Sequence, residues 1–322
     1  SHPEYEMEDR LLLHKIDLKK GIIQNDRGIY KLNDNFFPTL DMDNPYKLSH
    51  EEKEIMDEFY HAFTNSHRLN KHIKFLYDKG SMYLVHNDNL LYHGCIPMDD
   101  DGNFEGVEIG GNIYKGKKYL DYADRVARRA YSHKRTQDDL DFMWYLWCGK
   151  KSPLSGRNVR TFERAFIDDK SAWKEEVNPY YKHYHSEKTC CMILREFELY
   201  SDIAHIINGH TPVKTVEGES PIRANGKLIV IDGGFCNHYH KTTGIAGYTL
   251  IFNSHGLRIK SHHPFESIFK AVIENKDIDS DSNLVETERK RVRVKNTDIG
   301  RGIEKKIEEL MELLEIYRRE KY

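Results

Sequence analysis

The sequence is poor in cysteine, has no long apolar run and carries no excess of either charge. Its five cysteines (Cys95, Cys148, Cys190, Cys191 and Cys236) are odd in number, scattered, and form no CxxC pair. That spacing argues against a disulfide framework and against a cysteine zinc site, and a reducing, cytoplasmic setting is expected. No apolar stretch approaches the ~20 residues needed to span a bilayer, so no membrane partner is expected. With 49 Lys+Arg against 52 Asp+Glu the net charge is −3. The chain as a whole therefore has no electrostatic pull toward nucleic acid or an anionic membrane. There is no internal repeat, no low-complexity segment, no initiator Met and no signal-peptide pattern. The opening "SHPEYEMEDRLLLHKIDL" reads as an ordinary mid-protein stretch, and the expectation is a piece of something longer.

What is present is globular. A chain of 322 residues, 39% hydrophobic and 31% charged, suffices for one large domain or two ordinary ones. Residues 1–48 read as short extended pieces broken by turns. Ser49 reads as a helix N-cap with Glu52 at the capping-box position, and one helical pattern runs from there to a stop at Gly80. "MYLVH" and "NLLYH" read as a hairpin around "NDN", and "FEGVEIGGNIYKG" as a second one. Residues 117–149 read as two helices split near "SHKRTQDD". The second, "LDFMWYLWCG", is aromatic all round and is predicted to be well buried. Residues 150–185 are loop-rich and basic, and a helix is predicted near 186–199. "AHIIN", "KLIVID" and "GYTLIFNS" are short runs of the buried-strand type, with "LRIKSHH" as a hairpin partner. A helix is predicted over 264–275. The end of the chain places Ile303, Ile307, Leu310, Leu314 and Tyr317 on one stripe of an amphipathic helix.

Two histidines stand out by context. His93 ends "NLLYH" before Gly94, and His210 follows "IAHIIN" and Gly209. Both stand where a strand gives way to a loop, beside a glycine that permits close approach of backbone or ligand. Neutral imidazole is the commonest transition-metal ligand; an ordinary hydrogen-bonded loop histidine is the competing reading. Asp232, in "VIDGGF", either accepts a hydrogen bond from one of these imidazoles or closes a turn, while Gly233 and Gly234 are read as serving backbone geometry. His238, His240, His262 and His263 are read as surface residues, although "HYH" on a strand would put two imidazoles on one face.

"YHGCIP" resembles the HGG-x-x-P segment of metal-dependent phosphoesterases of the Ser/Thr-phosphatase type. "GHTPV", followed by "IDGGF" and "GYTLIF", resembles the later half of that superfamily. The longer stretches "KGSMYLVHNDNLLYHGCIPMDDDGNFEG", "DDLDFMWYLWCGKKSPLSGRNVRTFERAFI", "HIINGHTPVK" and "GKLIVIDGGFCNHYHKTTGIAGYTLIFNS" together resemble the class III fructose-1,6-bisphosphatases. The resemblance implies an α/β (α+β) fold: the second half of a metallophosphoesterase β-sandwich flanked by helices. The implied layout is an extended lead-in at 1–48 and sandwich segments at 49–100 and 200–262. A mainly helical insertion at 101–199 and a helical tail at 263–322 complete it.

The resemblance also implies a two-metal centre, with manganese as the metal and His93 and His210 as ligands. It implies hydrolysis of fructose 1,6-bisphosphate to fructose 6-phosphate and phosphate in gluconeogenesis. The superfamily's other metal motifs (Asp-x-His, Gly-Asp-x-x-Asp-Arg-Gly and Gly-Asn-His-Asp/Glu) do not precede His93 here; "NDRG" at 25–28 reads as a turn. The expectation is therefore the C-terminal half of a longer enzyme. Its metal would be absent or weakly bound and its activity absent until the N-terminal half is supplied. A bisphosphate substrate needs a cationic grip for its second phosphate, for which Lys150, Lys151, Arg157, Arg160 and Arg164 are candidates; a solvated basic loop is the alternative. Self-association into a homo-oligomer is expected. Two further readings remain: a non-catalytic regulatory or oligomerisation module, and another sugar-phosphate phosphatase of the same superfamily.

Overall fold

The computed structural model describes residues 2–275, 279–287 and 291–320. Among these it holds thirteen strands in four sheets and ten α-helices, a mixed α/β chain. The backbone divides into two compact units, Ser1–Met82 with Cys95–Tyr181, and Tyr83–Gly94 with Lys182–Tyr322.

In the first unit, strands Ile22–Asn25 and Gly28–Lys31 pair antiparallel in the register Asn25↔Gly28. That leaves Asp26 and Arg27 as a two-residue loop, so "NDRG" is a turn. Asn25 Oδ1 accepts from the Arg27 amide at 2.9 Å, the local side-chain bond that favours Asn in turns. The hairpin packs Ile23 and Leu32 against Leu12, Ile16, Ile167 and Ala172. Beside it, helices Gly116–Tyr131 and Gln137–Cys148 bury Tyr119, Leu120, Ala123 and Val126 on one and Phe142, Tyr145 and Leu146 on the other. The split between them is made by a capping box. The Asp139 amide donates to Thr136 Oγ1 at 3.3 Å and the Thr136 amide to Asp139 Oδ2 at 2.9 Å.

Three sequence expectations change here. The helical pattern from 50 to 79 is two helices, His50–Asn65 and His67–Lys79, because Ser66 turns extended and caps the second through its hydroxyl. The capping box at Ser49 and the stop at Gly80 are as expected. The aromatic helix is not buried all round: Trp144 and Trp147 are exposed, while Phe142 and Tyr145, with Leu146, fill the core side. "HYH" lies in the helix Asn237–Thr243, not a strand. At helical pitch His238 and His240 do not share a face.

The second unit is built on a five-stranded sheet. Its order is Tyr83–His86, Asn89–Tyr92, His205–Asn208, Leu228–Val230 and Ile222–Arg223. The three central strands are parallel, and the short apolar runs predicted from sequence are buried throughout in His205–Asn208 and Leu228–Val230. Asn87 and Asp88 both take positive φ, the conformation a two-residue hairpin turn requires. A three-stranded antiparallel sheet, Gly247–Asn253, Gly256–His262 and Ser280–Thr287, follows. His205 ties the two sheets. Its Nδ1 faces the Gly226 carbonyl at 2.8 Å and its Nε2 the Glu286 carboxylate at 2.5 Å. The predicted C-terminal amphipathic helix is Asp298–Glu320; its last two expected residues, Lys321 and Tyr322, lie outside the described residues.

Arg160 sets an acid-sensitive joint in the first unit. It is fully buried and forms a two-pronged pair with Asp26, 2.7 Å on each side, and a 3.1 Å contact with Glu163. Glu163 is in turn held by Arg10 at 2.9 Å through both oxygens. The Arg160 hydrogen bonds hold the Asp26 carboxyl down at about 2, from an ordinary 3.8. Because the folded value is the lower one, this stabilisation is complete above pH 3.8 and is lost as pH falls through about 2. Arg160→Met leaves two carboxylates short of a partner. It should cost about 3–5 kcal/mol in urea unfolding at neutral pH and flatten the acid limb of the stability profile.

Candidate functional site

The second unit brings His93 and His210 together, and strand register is the cause. Asn89–Tyr92 and His205–Asn208 run parallel with Tyr92 opposite Asn208, so the residues that follow both strands emerge side by side at their carboxyl ends. Open parallel sheets bind ligands at that end. His210 Nδ1 lies 3.2 Å from His93 Nε2, with the rings edge to face. Two donors on one ion, each at about 2.0–2.2 Å, sit about 3.0–3.5 Å apart along an edge of the coordination polyhedron. The observed separation fits that edge. Among the described residues, no third His, Cys, Asp or Glu joins the pair within ligand distance, so the residues present supply an edge and not a complete centre.

Asn208, which sequence reasoning passed over, positions both histidines. It is buried, and its Nδ2 faces the carbonyls of Tyr92, His93 and Gly94 at 3.2, 3.1 and 2.8 Å. The next amide, Gly209, donates to the His93 carbonyl at 3.1 Å. The Thr211 amide reaches back to the Gly209 carbonyl at 2.7 Å with His210 at φ +64°, a three-residue turn of the strained, positive-φ kind. The only sequence signal for this was an Asn closing an apolar strand.

Burial lowers the His93 pKa, and the negative charge of Asp232 opposes it; the neutral ring is the form that ligates a metal. Asp232 also closes a turn: its Oδ1 accepts from the Gly234 amide at 3.0 Å, and its carbonyl accepts from Val213 at 2.9 Å. Gly233 serves close approach, since a Cβ there would lie 2.4 Å from the Gly247 Cα. His262 and His263 make surface hydrogen bonds to Thr249 and Asp281.

The basic candidates lie in the other unit. Arg160 is corrected outright: its guanidinium is enclosed by Asp26 and Glu163 and is closed to a substrate phosphate. Lys150 pairs with Asp9 at 3.4 Å, Lys151 with Glu105 at 3.1 Å and Arg164 with Glu175 at 3.1 Å. Arg157 lies over the Tyr181 ring, 5.3 Å from its centre. That unit also holds a group not foreseen from sequence, His2, Asp138 and Asp141, whose potential ligand atoms lie within 4.8 Å of one another. His2 Nε2 faces Asp141 at 3.0 Å and its Nδ1 faces Glu4 at 3.2 Å, and the Asp138 side chain is 83% exposed. The group is a partly exposed cluster whose side chains also hydrogen-bond one another.

The sequence model of the Firmicute fructose-1,6-bisphosphatase family matches residues 1–319. The chain belongs to this family. It is 54% identical over 322 residues to a class 3 fructose-1,6-bisphosphatase of Clostridium botulinum (strain 657 / Type Ba4), covering 98% of this chain and 48% of that protein. It is 53% identical over 324 residues to that of Clostridium novyi (strain NT), covering 99% of this chain and 49% of that protein. The chain thus spans about half the length of the curated relatives it matches. No solved structure matches. The class III resemblance, read as covering essentially all 322 residues, is therefore the family, and the family model matches residues 1–319. Among the described residues, no helix is long and apolar enough to cross a membrane.

Two substitutions test the positioning of the pair. His210→Gly relieves a positive-φ side chain and should stabilise the chain by a few tenths to about 1 kcal/mol in urea unfolding, net of the extra freedom of glycine. Asn208→Asp turns a donor facing three carbonyls into an acceptor. It should cost at least about 2 kcal/mol in the same assay.

Proposed function

We propose that this chain supplies the His93–His210 edge of a metal centre in a phosphatase that hydrolyses fructose 1,6-bisphosphate to fructose 6-phosphate and phosphate. The reading is carried by one observation: the 3.2 Å contact between two imidazoles at the ends of in-register parallel strands, in a chain of this family. Manganese is the proposed metal, gluconeogenesis in the cytoplasm the proposed setting, and the five-stranded sheet the proposed part of a metallophosphoesterase sandwich. Bound there, the metal supplies Lewis-acid activation of water and of the phosphoryl oxygens.

The chain's own residues hold the geometry. Asn208 fixes the two strand ends relative to each other. Burial favours the neutral form of His93, and the turn at Asp232 packs against the loop that follows His210. The remaining ligands are proposed to come from sequence outside these 322 residues. Exposed apolar side chains favour further sequence packing on this chain: Phe59 and Phe63 in the first unit, and Ile303, Leu310 and Leu314 in the second, are all about half exposed or more.

The test is complementation. This chain is mixed with the remaining part of a class 3 relative and manganese, and phosphate release from fructose 1,6-bisphosphate is followed. Activity is expected from the mixture and not from this chain alone. His93→Ala or His210→Ala should each remove several kcal/mol of transition-state stabilisation. An inactive mixture of two folded parts would point instead to a non-catalytic binding or oligomerisation module. An unchanged rate in either alanine variant would remove the ligand assignment.

A further inference from the structure

At the other end of the same parallel strands the second unit has a cleft of about 1090 Å³. Its walls include the turn residues Asn87 and Asp88, which precede the His93 strand, and Ile203, which precedes the His210 strand. A four-residue strand separates the two ends by roughly 13 Å, so the cleft is not the histidine site. Its far wall is "RVRVK", residues 291–295, in which Arg291, Arg293 and Lys295 alternate with valines.

Both ends of this wall are tied down. The Val292 amide donates to the Ser254 carbonyl at 2.8 Å and Arg291 Nε to the Ser254 hydroxyl at 3.1 Å. Beyond Lys295, Asn87 and Asp298 exchange reciprocal bonds of 2.7 and 2.9 Å. Among the described residues no carboxylate pairs with Arg291, Arg293 or Lys295, and Asp88 is the one acid on the cleft wall. Three cations within five residues repel one another, and guanidinium groups match phosphate oxygens. Phe252, 41% exposed, and Ile203 add an apolar wall. We infer that this cleft is a second binding site, for a phosphorylated small molecule with at least two negative charges and a planar or apolar portion.

The probes are inorganic pyrophosphate and uridine diphosphate, titrated calorimetrically into the 322-residue chain without divalent metal. Both are expected to bind at millimolar concentration or better, with affinity falling as salt rises. Arg293→Ala with Lys295→Ala should weaken both by about tenfold or more. Phe252→Ala should weaken uridine diphosphate and leave pyrophosphate unchanged, and His93→Ala with His210→Ala should change neither. Circular dichroism checks folding; should the double cation variant unfold, Arg293→Gln takes its place with the same expected direction. No binding of either probe, binding indifferent to the cation variants, or loss of binding in the histidine variant would each overturn the inference. The first two remove the site, and the third moves the phosphate to the histidine pair. None of these outcomes depends on whether the chain takes part in bisphosphate hydrolysis.

Discussion

The side-chain amide of Asn208 meets three carbonyl oxygens, those of Tyr92, His93 and Gly94, with two protons. Only the nitrogen end of the amide can face them, since an oxygen there would meet three acceptors. Its Oδ1 then lies buried with no partner among the described residues, a cost of about 1–3 kcal/mol. The arrangement tolerates that cost because the alternative is worse. The strand turns into a loop at this point, and without the amide the Tyr92 and Gly94 carbonyls would lose this donor, while the His93 carbonyl would keep only the Gly209 amide. The bond joins residues more than a hundred apart in sequence. It also fixes His93 relative to the strand that delivers His210.

The second histidine is held by strain where the first is held by hydrogen bonding. His210 has positive φ within a three-residue turn. A side chain there costs about 1 kcal/mol that glycine would not, and Gly209 sits immediately before it. A loop that needed only to turn would place glycine at the strained position. Here glycine precedes it and the imidazole occupies it, which brings Nδ1 to 3.2 Å from the His93 ring. Backbone strain at a site is evidence of a demand on the side chain, and this is the strongest local argument that the imidazole at 210 has a task beyond packing.

Strand ends and helix caps were legible in the sequence because local chemistry sets them. Ser49 with Glu52, the left-handed pair Asn87 and Asp88, and the short apolar runs around 206 and 229 all formed as their residues demand. What was not legible depends on distant partners. Ser66 splits a continuous helical pattern by a competing cap. "HYH" has no periodicity of its own, and its neighbours settle it as helix. Trp144 and Trp147 are exposed although their segment is aromatic all round, because a helix can bury only the face its neighbour covers. Asn208 stood out in the sequence only as the last residue of an apolar strand, because its three acceptors lie at the end of another strand and just beyond it.

The basic stretch from 150 to 164 shows why composition misleads about binding sites. A run of Lys and Arg in a turn-rich loop looks like a phosphate grip, since phosphate needs such charges. Carboxylates that the fold brings close need them too. Asp9, Asp26 and Glu163 lie far from one another in sequence, and each takes a cation from this stretch. Arg160 loses all exposure in doing so. In contrast, the cations of 291–295 stand along a cleft wall with a single acid among its described lining residues. Both segments are basic. The difference is whether the fold brings carboxylates to the cations, and that follows from the tertiary pairing.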